Sequence, residues 1–146
     1  MKIFIYPVNS LILVDIVEHF GHQPLTMMGA ISNEEVALNY SNEKQCSNFE
    51  PKGGLTYLPV EVPSGVRGRL SMIGPLIEMA DASIIMEDAD FGFGCGGCAR
   101  TNEVIPHIIR QHGRPYIKVK MPTDRESAYR LVQSIKNFLS SLEARS

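Results

Sequence analysis

Cys95 and Cys98 stand in a C-x-x-C spacing within residues 87–103, a stretch that also carries Gly92, Gly94, Gly96 and Gly97. A separation of three brings two thiols onto one turn of chain, close enough to share a metal ion or to close a disulfide. Glycines lack Cβ, so the backbone N–H groups around the pair can approach an anion or a thiolate. Three readings of the pair are open. In a redox site one thiolate, favoured by a helix N-terminus, attacks a disulfide and the second resolves it. In a metal site the two thiolates form half of a four-sulfur zinc or iron–sulfur centre. In the third reading, small residues fit a tight loop and carry no chemistry.

The neighbours weigh on each. Glu87, Asp88 and Asp90 disfavour a thiolate, and Arg100 offsets part of that. A metal centre within one chain lacks ligands, because Cys46 is the remaining cysteine of three and the four histidines are scattered. A two-fold homodimer would bring two C-x-x-C pairs together, which makes a bridging site chemically sensible. Gly92, Gly94 and Gly97 also match G-x-G-x-x-G, but the dinucleotide fingerprint expects a first strand–helix turn and an acidic residue ~20 positions on. The next strand instead ends in Lys118, Val119 and Lys120, so nicotinamide binding is discounted.

What must position this loop is a strand before it and a helix after it. Residues 83–86 are an apolar run fitting a buried strand, and Val104, Ile105, Ile108 and Ile109 form a helical stripe ended by Gly113. Pro106 fits most easily in a first turn, which predicts a helix start near Asn102 with both cysteines just outside. The chain opens in the same way. Residues 3–6 read as a strand ended by Pro7, Asn9 or Ser10 caps a helix, and Leu13, Ile16, Val17 and Phe20 form its stripe before Gly21. A second strand is expected at residues 25–28, and Ser32 with Glu35 has capping-box spacing. Residues 39–63 read as a loop or insertion, with Thr56, Leu58, Val60 and Val62 alternating like a short edge strand. A helix follows from Ser64, with Pro75 kinking it or starting another. Residues 116–119 give a fourth strand, and Thr123 with Glu126 a capping box for a last helix faced by Ala128, Leu131, Val132, Ile135, Phe138, Leu139 and Leu142.

Apolar strands alternating with helices imply an α/β fold: a three-layer, Rossmann-like or flavodoxin-like domain with a mostly parallel sheet of about four strands and helices on both faces. With right-handed crossovers and order 2-1-3-4, the switch point falls between strands 1 and 3. Asn9 and Ser10 would then share a crevice with Cys95 and Cys98, and Asp88 and Asp90 would line its wall. Ser64, Gly65, Arg67 and Arg69 offer a possible anion site at a helix start. The alternative there is a solvated helix terminus. His107 and His112 are expected on an exposed helix side, and Met72 and Met79 in the core.

A length of 146 residues fits one domain, residues 1–146, and a net charge of −2 gives no reason to expect nucleic acid. No run approaches the ~20 apolar residues of a membrane span. Polar residues interrupt the N-terminal apolar stretch, so no signal peptide is expected, and the protein reads as cytoplasmic.

Residues 91–103, from Phe91 through Gly92, Gly94, Cys95, Cys98 and Arg100 to Glu103, resemble methanogenesis marker protein 5, and residues 1–7 are similar too. The resemblance implies a methanogenic archaeon and a role tied to methane formation, in assembly or activation of methyl-coenzyme M reductase, with other proteins of that pathway as partners. It brings no established catalytic residue. In a sulfide-rich anaerobic cytoplasm it raises the metal or iron–sulfur reading of Cys95 and Cys98 above the others. A thiol–disulfide enzyme or sensor, and a non-catalytic interaction or anion/nucleotide-binding module, stand as alternatives.

Overall fold

Ile3, Phe4 and Ile5 have no exposed surface, and neither does Ile84. Side chains alternate across a strand, so burial of consecutive residues requires cover on both faces. In the computed structural model, residues 1–27, 53–87 and 96–144 are described, with residues 96–100 given by backbone alone. The elements run β1 (Lys2–Tyr6), α1 (Leu11–His19), β2 (Gln23–Leu25), a 3-10 turn (Gly53–Thr56), α2 (Ser64–Met79), β3 (Ala82–Glu87), α3 (Gly96–Gln111), β4 (Tyr116–Lys120) and α4 (Arg125–Glu143). The four strands are parallel in order β2-β1-β3-β4, as the sequence pattern implies.

The two faces bury separate cores. Phe4, Tyr6 and Ile85 pack with Leu70, Ile73, Leu76 and Ile77 of α2 and with Ile105 and Ile109 of α3. Ile3, Ile5, Ile84, Met86 and Val119 pack with Leu13 and Val17 of α1 and with Leu131, Ile135, Leu139 and Leu142 of α4. Helix ends follow capping chemistry. The Ser10 hydroxyl accepts from Leu13 N–H at the start of α1, and Gly21 (φ 78°) and Gly113 (φ 65°) take the left-handed conformation after α1 and α3. Past α2, the Arg114 guanidinium donates to the carbonyls of Glu78 (2.6 Å) and Ala80, closing the helix end against the strand that follows.

Several local expectations need correction. Residues 56–62 are not a strand: Tyr57 and Leu58 N–H groups both donate to Gly54 O, winding the chain into a turn. Gly54 lies so close to the Arg67 backbone that a Cβ would collide with it, and the Tyr57 ring sits against Gly74 in the same way. Residues 53–63 therefore pack on α2, while 39–52 lie outside the described residues. Pro75 lies inside one helix and starts no second. The second strand comes earlier than expected, at Gln23–Leu25, and the region of Ser32 and Glu35 lies outside the described residues. The last helix is capped one residue later than the Thr123–Glu126 spacing suggests. Ser127 N–H donates to Asp124 Oδ1 at 2.7 Å, and Ser127 Oγ accepts from Asp124 N–H at 3.0 Å. Asp is a stronger N-cap than Thr, and its box with Ser127 is complete on both sides.

Two measurements test this account. Ile135→Ala, at a fully buried position, should cost about 2–5 kcal/mol in urea unfolding, whereas Tyr129→Ala, 67% exposed on the same helix, should stay within ~0.5 kcal/mol. The hydrogen bonds from Ser127, its backbone N–H first, hold the Asp124 carboxyl below its ordinary value of 3.8. A depressed folded-state value contributes stability that is present above pH 3.8 and is lost as pH falls through the folded value. Asp124→Ala should therefore melt lower than wild type at pH 7, and the gap should narrow below pH 3.8. An equal gap at both pH values would refute the cap.

Candidate functional site

Tyr6 pairs with Ile85, so β1 and β3 are neighbours and their carboxyl ends share one edge of the sheet. From that edge residues 7–10 leave β1, and the glycine–cysteine segment leaves β3. Ser10 donates its N–H to Pro7 O at 3.1 Å and caps α1 with its hydroxyl, while Asn9 is exposed beside it. Asp88, Asp90, Gly92, Gly94 and Cys95 lie outside the described residues, as does Cys46. Gly96, Gly97, Cys98 and Arg100 are described through their backbone, which is helical. The expected helix start near Asn102 is thus corrected: α3 begins at Gly96, inside the C-x-x-C, and Pro106 lies within the helix. Proline at an interior position costs one backbone bond, and the surrounding burial of Ile105 and Ile109 carries the helix through it.

Sequence reasoning missed a polar contact that ties this helix to the sheet. The Tyr6 hydroxyl donates to Asn102 Oδ1 across 96 residues of chain. Tyr6 is 7% exposed, and Thr101, the residue before Asn102, is 1% exposed. Tyr6 reads as the last member of an apolar strand and Asn102 as a helix start, so no local pattern joins them. The only hint is that a buried tyrosine needs a partner for its hydroxyl.

The start of α2 faces the same edge, because the helix ends where β3 begins. Ser64 and Gly65 are exposed there. Arg67 Nη1 donates to the carbonyls of Val60 and Val62 (2.7 Å to the latter), fastening the preceding turn. Arg69 is exposed and engaged in an interaction of its own. At the opposite, amino edge, an open depression is lined by Lys2, Glu18, His22 and Asp81 among others. His22 is buried there with Nε2 3.5 Å from Glu143, while His19, His107 and His112 are exposed. Among the described residues no three His, Cys, Asp or Glu side chains gather as metal ligands, and no helix is long and apolar enough to cross a membrane.

Residues 1–142 match the family described as "Uncharacterized protein conserved in archaea (DUF2112)". The chain is 53% identical over 146 residues to "Uncharacterized protein MJ0404" of Methanocaldococcus jannaschii, covering 97% of this chain and 95% of that one. No solved structure matches it. A match over nearly the whole length, joined to an identity of this size, places the entire α/β domain in one group: the chain belongs to the DUF2112 family of archaeal proteins.

Proposed function

We propose that this protein is an accessory factor of methane formation, acting in assembly or activation of methyl-coenzyme M reductase, and that Cys95 and Cys98 bind zinc or an iron–sulfur cluster. The thiol site rests on one observation: α3 begins at Gly96, between the two cysteines. The first turn of a helix presents unpaired N–H groups and the positive end of its dipole. Both favour thiolate over thiol, and thiolate is the form that ligates metal. The helix start thus adds to Arg100 against the carboxylates of Glu87, Asp88 and Asp90. Gly96 and Gly97 add N–H groups with no side chain in the way.

Two thiolates are half of a four-sulfur set. A homodimer related by a two-fold axis would complete it, with Asp88 and Asp90 on the crevice wall and Asn9 and Ser10 across from them. The pathway assignment is supported by the resemblance of residues 91–103 and 1–7 to methanogenesis marker protein 5, and by a relative from a methanogen. Anaerobic purification from a native host should yield a protein with iron and acid-labile sulfide, or zinc, in proportion to the Cys95–Cys98 pair. Replacing both cysteines with serine should remove it. Metal-free, colourless protein from that source would sink the metal site.

The same helix start favours a second reading, thiol–disulfide exchange, because a thiolate at a helix N-terminus is also a nucleophile. This reading expects one of the two cysteines to alkylate with a midpoint well below the ordinary ~8.5 of a free thiol. Two ordinary midpoints in a rate-against-pH titration would remove it.

A further inference from the structure

We propose that the depression at the amino edge of the sheet is a site for a soft monovalent metal ion, copper(I), held by His22 Nδ1 and the thioethers of Met1 and Met79. The site lies at the opposite edge of the sheet from the C-x-x-C segment and does not depend on it. Three stretches of chain meet here through the backbone. Gln23 N–H donates to Met1 O at 2.9 Å, Asp81 N–H donates to Lys2 O at 2.8 Å, and Lys2 N–H donates to Asp81 Oδ2 at 2.7 Å. Met1 is thereby flanked by residues 22–23 on one side and by the end of α2 on the other, where Met79 lies two residues before Asp81. All three proposed ligands line the same depression.

His22 is the buried member of that lining. Its side chain is 4% exposed, and Nδ1 has no hydrogen-bond partner. A buried ring nitrogen left unpaired costs about 1–3 kcal/mol, which calls for something to meet it. The other nitrogen says what. Nε2 lies 3.5 Å from Glu143 Oε1. A carboxylate accepts and does not donate, so it draws the ring proton to Nε2 and leaves a lone pair on Nδ1. A histidine whose far nitrogen faces a carboxylate is the arrangement in which imidazoles commonly ligate metals.

The remaining donors decide which metal. Glu18 and Asp81 share the lining, yet among the described residues they do not gather with His22 into a three-ligand set. Hard and borderline cations, which look for carboxylates or thiolates, are poorly served. Met79, which helical spacing would place in the core, is instead 39% exposed, and Met1 is 41% exposed. Their sulfurs are not committed to core packing. Thioether is a neutral, soft ligand that selects copper(I), and imidazole suits copper as well.

The test uses the full chain with Cys46→Ser, Cys95→Ser and Cys98→Ser, which removes the thiols that would take copper(I) first. Anaerobic titration with copper(I) against the chelator bicinchoninate should leave a single equivalent on the protein. Met79→Leu keeps the bulk at an exposed position and should weaken retention by about tenfold or more, at least what the loss of an outer partner costs. His22→Gln should weaken it as much, and Glu143→Gln, which removes only the carboxylate behind the ring, by about tenfold. Copper(I) should also raise the melting point of the parent, and Met79→Leu should abolish that rise. A parent chain that yields all its copper(I) to the chelator overturns the proposal, and a water is then what meets Nδ1. Retention as tight in Met79→Leu as in the parent also overturns it, because the ion then sits on other residues. Met79→Leu decides alone if His22→Gln fails to fold. Metal content of the wild-type chain bears on Cys95 and Cys98, so either site can fail without the other.

Discussion

Burial of β1 and β3 on both faces is the constraint from which the remaining architecture follows. Ile3, Ile5 and Ile84 face one helical layer while Phe4, Tyr6 and Ile85 face the other. Neither layer can be dropped without exposing half of the central pair. Two parallel neighbours buried this way need crossover helices, and parallel direction then collects every strand–helix loop on a single edge. The carboxyl ends of β1 and β3, from which residues 7–10 and the glycine–cysteine segment depart, share that edge because of the core.

The two sheet edges are finished differently. At the amino edge Arg114 closes the end of α2, and Asp81 accepts the Lys2 N–H at 2.7 Å. These contacts involve charged side chains and join segments 36 and 79 residues apart in the chain. At the carboxyl edge the hydrogen bond between Tyr6 and Asn102 joins segments 96 residues apart in the chain. The Tyr6–Asn102 bond also explains why the glycine pair at the start of α3 is tolerated: an unstable first turn costs little when tertiary contacts one turn later supply what propensity does not.

Much of this was legible in the sequence. Strand and helix types and the face of α4 follow from periodicity, because burial on both faces leaves β1 and β3 uniformly apolar and burial on one face leaves α4 striped; the order 2-1-3-4 follows from the expected fold class, and the sheet has it. The failures were local. Val60 and Val62 alternate with other residues, yet the chain there winds into a turn because Gly54 and Gly74 admit close packing against α2. Spacing placed the last cap at Thr123 when Asp124 offers the better acceptor. Pro106 fits a first turn by the rule for single residues, which cannot see that Ile105 and Ile109 bury the helix on either side of it. In the candidate site, the spacing of Cys95 and Cys98 and the shared edge could be read directly. The Tyr6–Asn102 anchor could not, because it depends on tertiary contact alone.

The outermost strands carry one more consequence. β2 is three residues long and holds Pro24, which has no N–H to offer a further strand. β4 places the exposed Lys118 and Lys120 along the other margin of the sheet. A strand arriving from a second molecule would meet a missing donor on one side and, on the other, Lys120 and a Lys118 ammonium paired with Glu87, devices of the kind that keep open sheets from growing into aggregates. Among the described strands, the two margins of the ribbon are thus built to disfavour pairing with a second copy's edge.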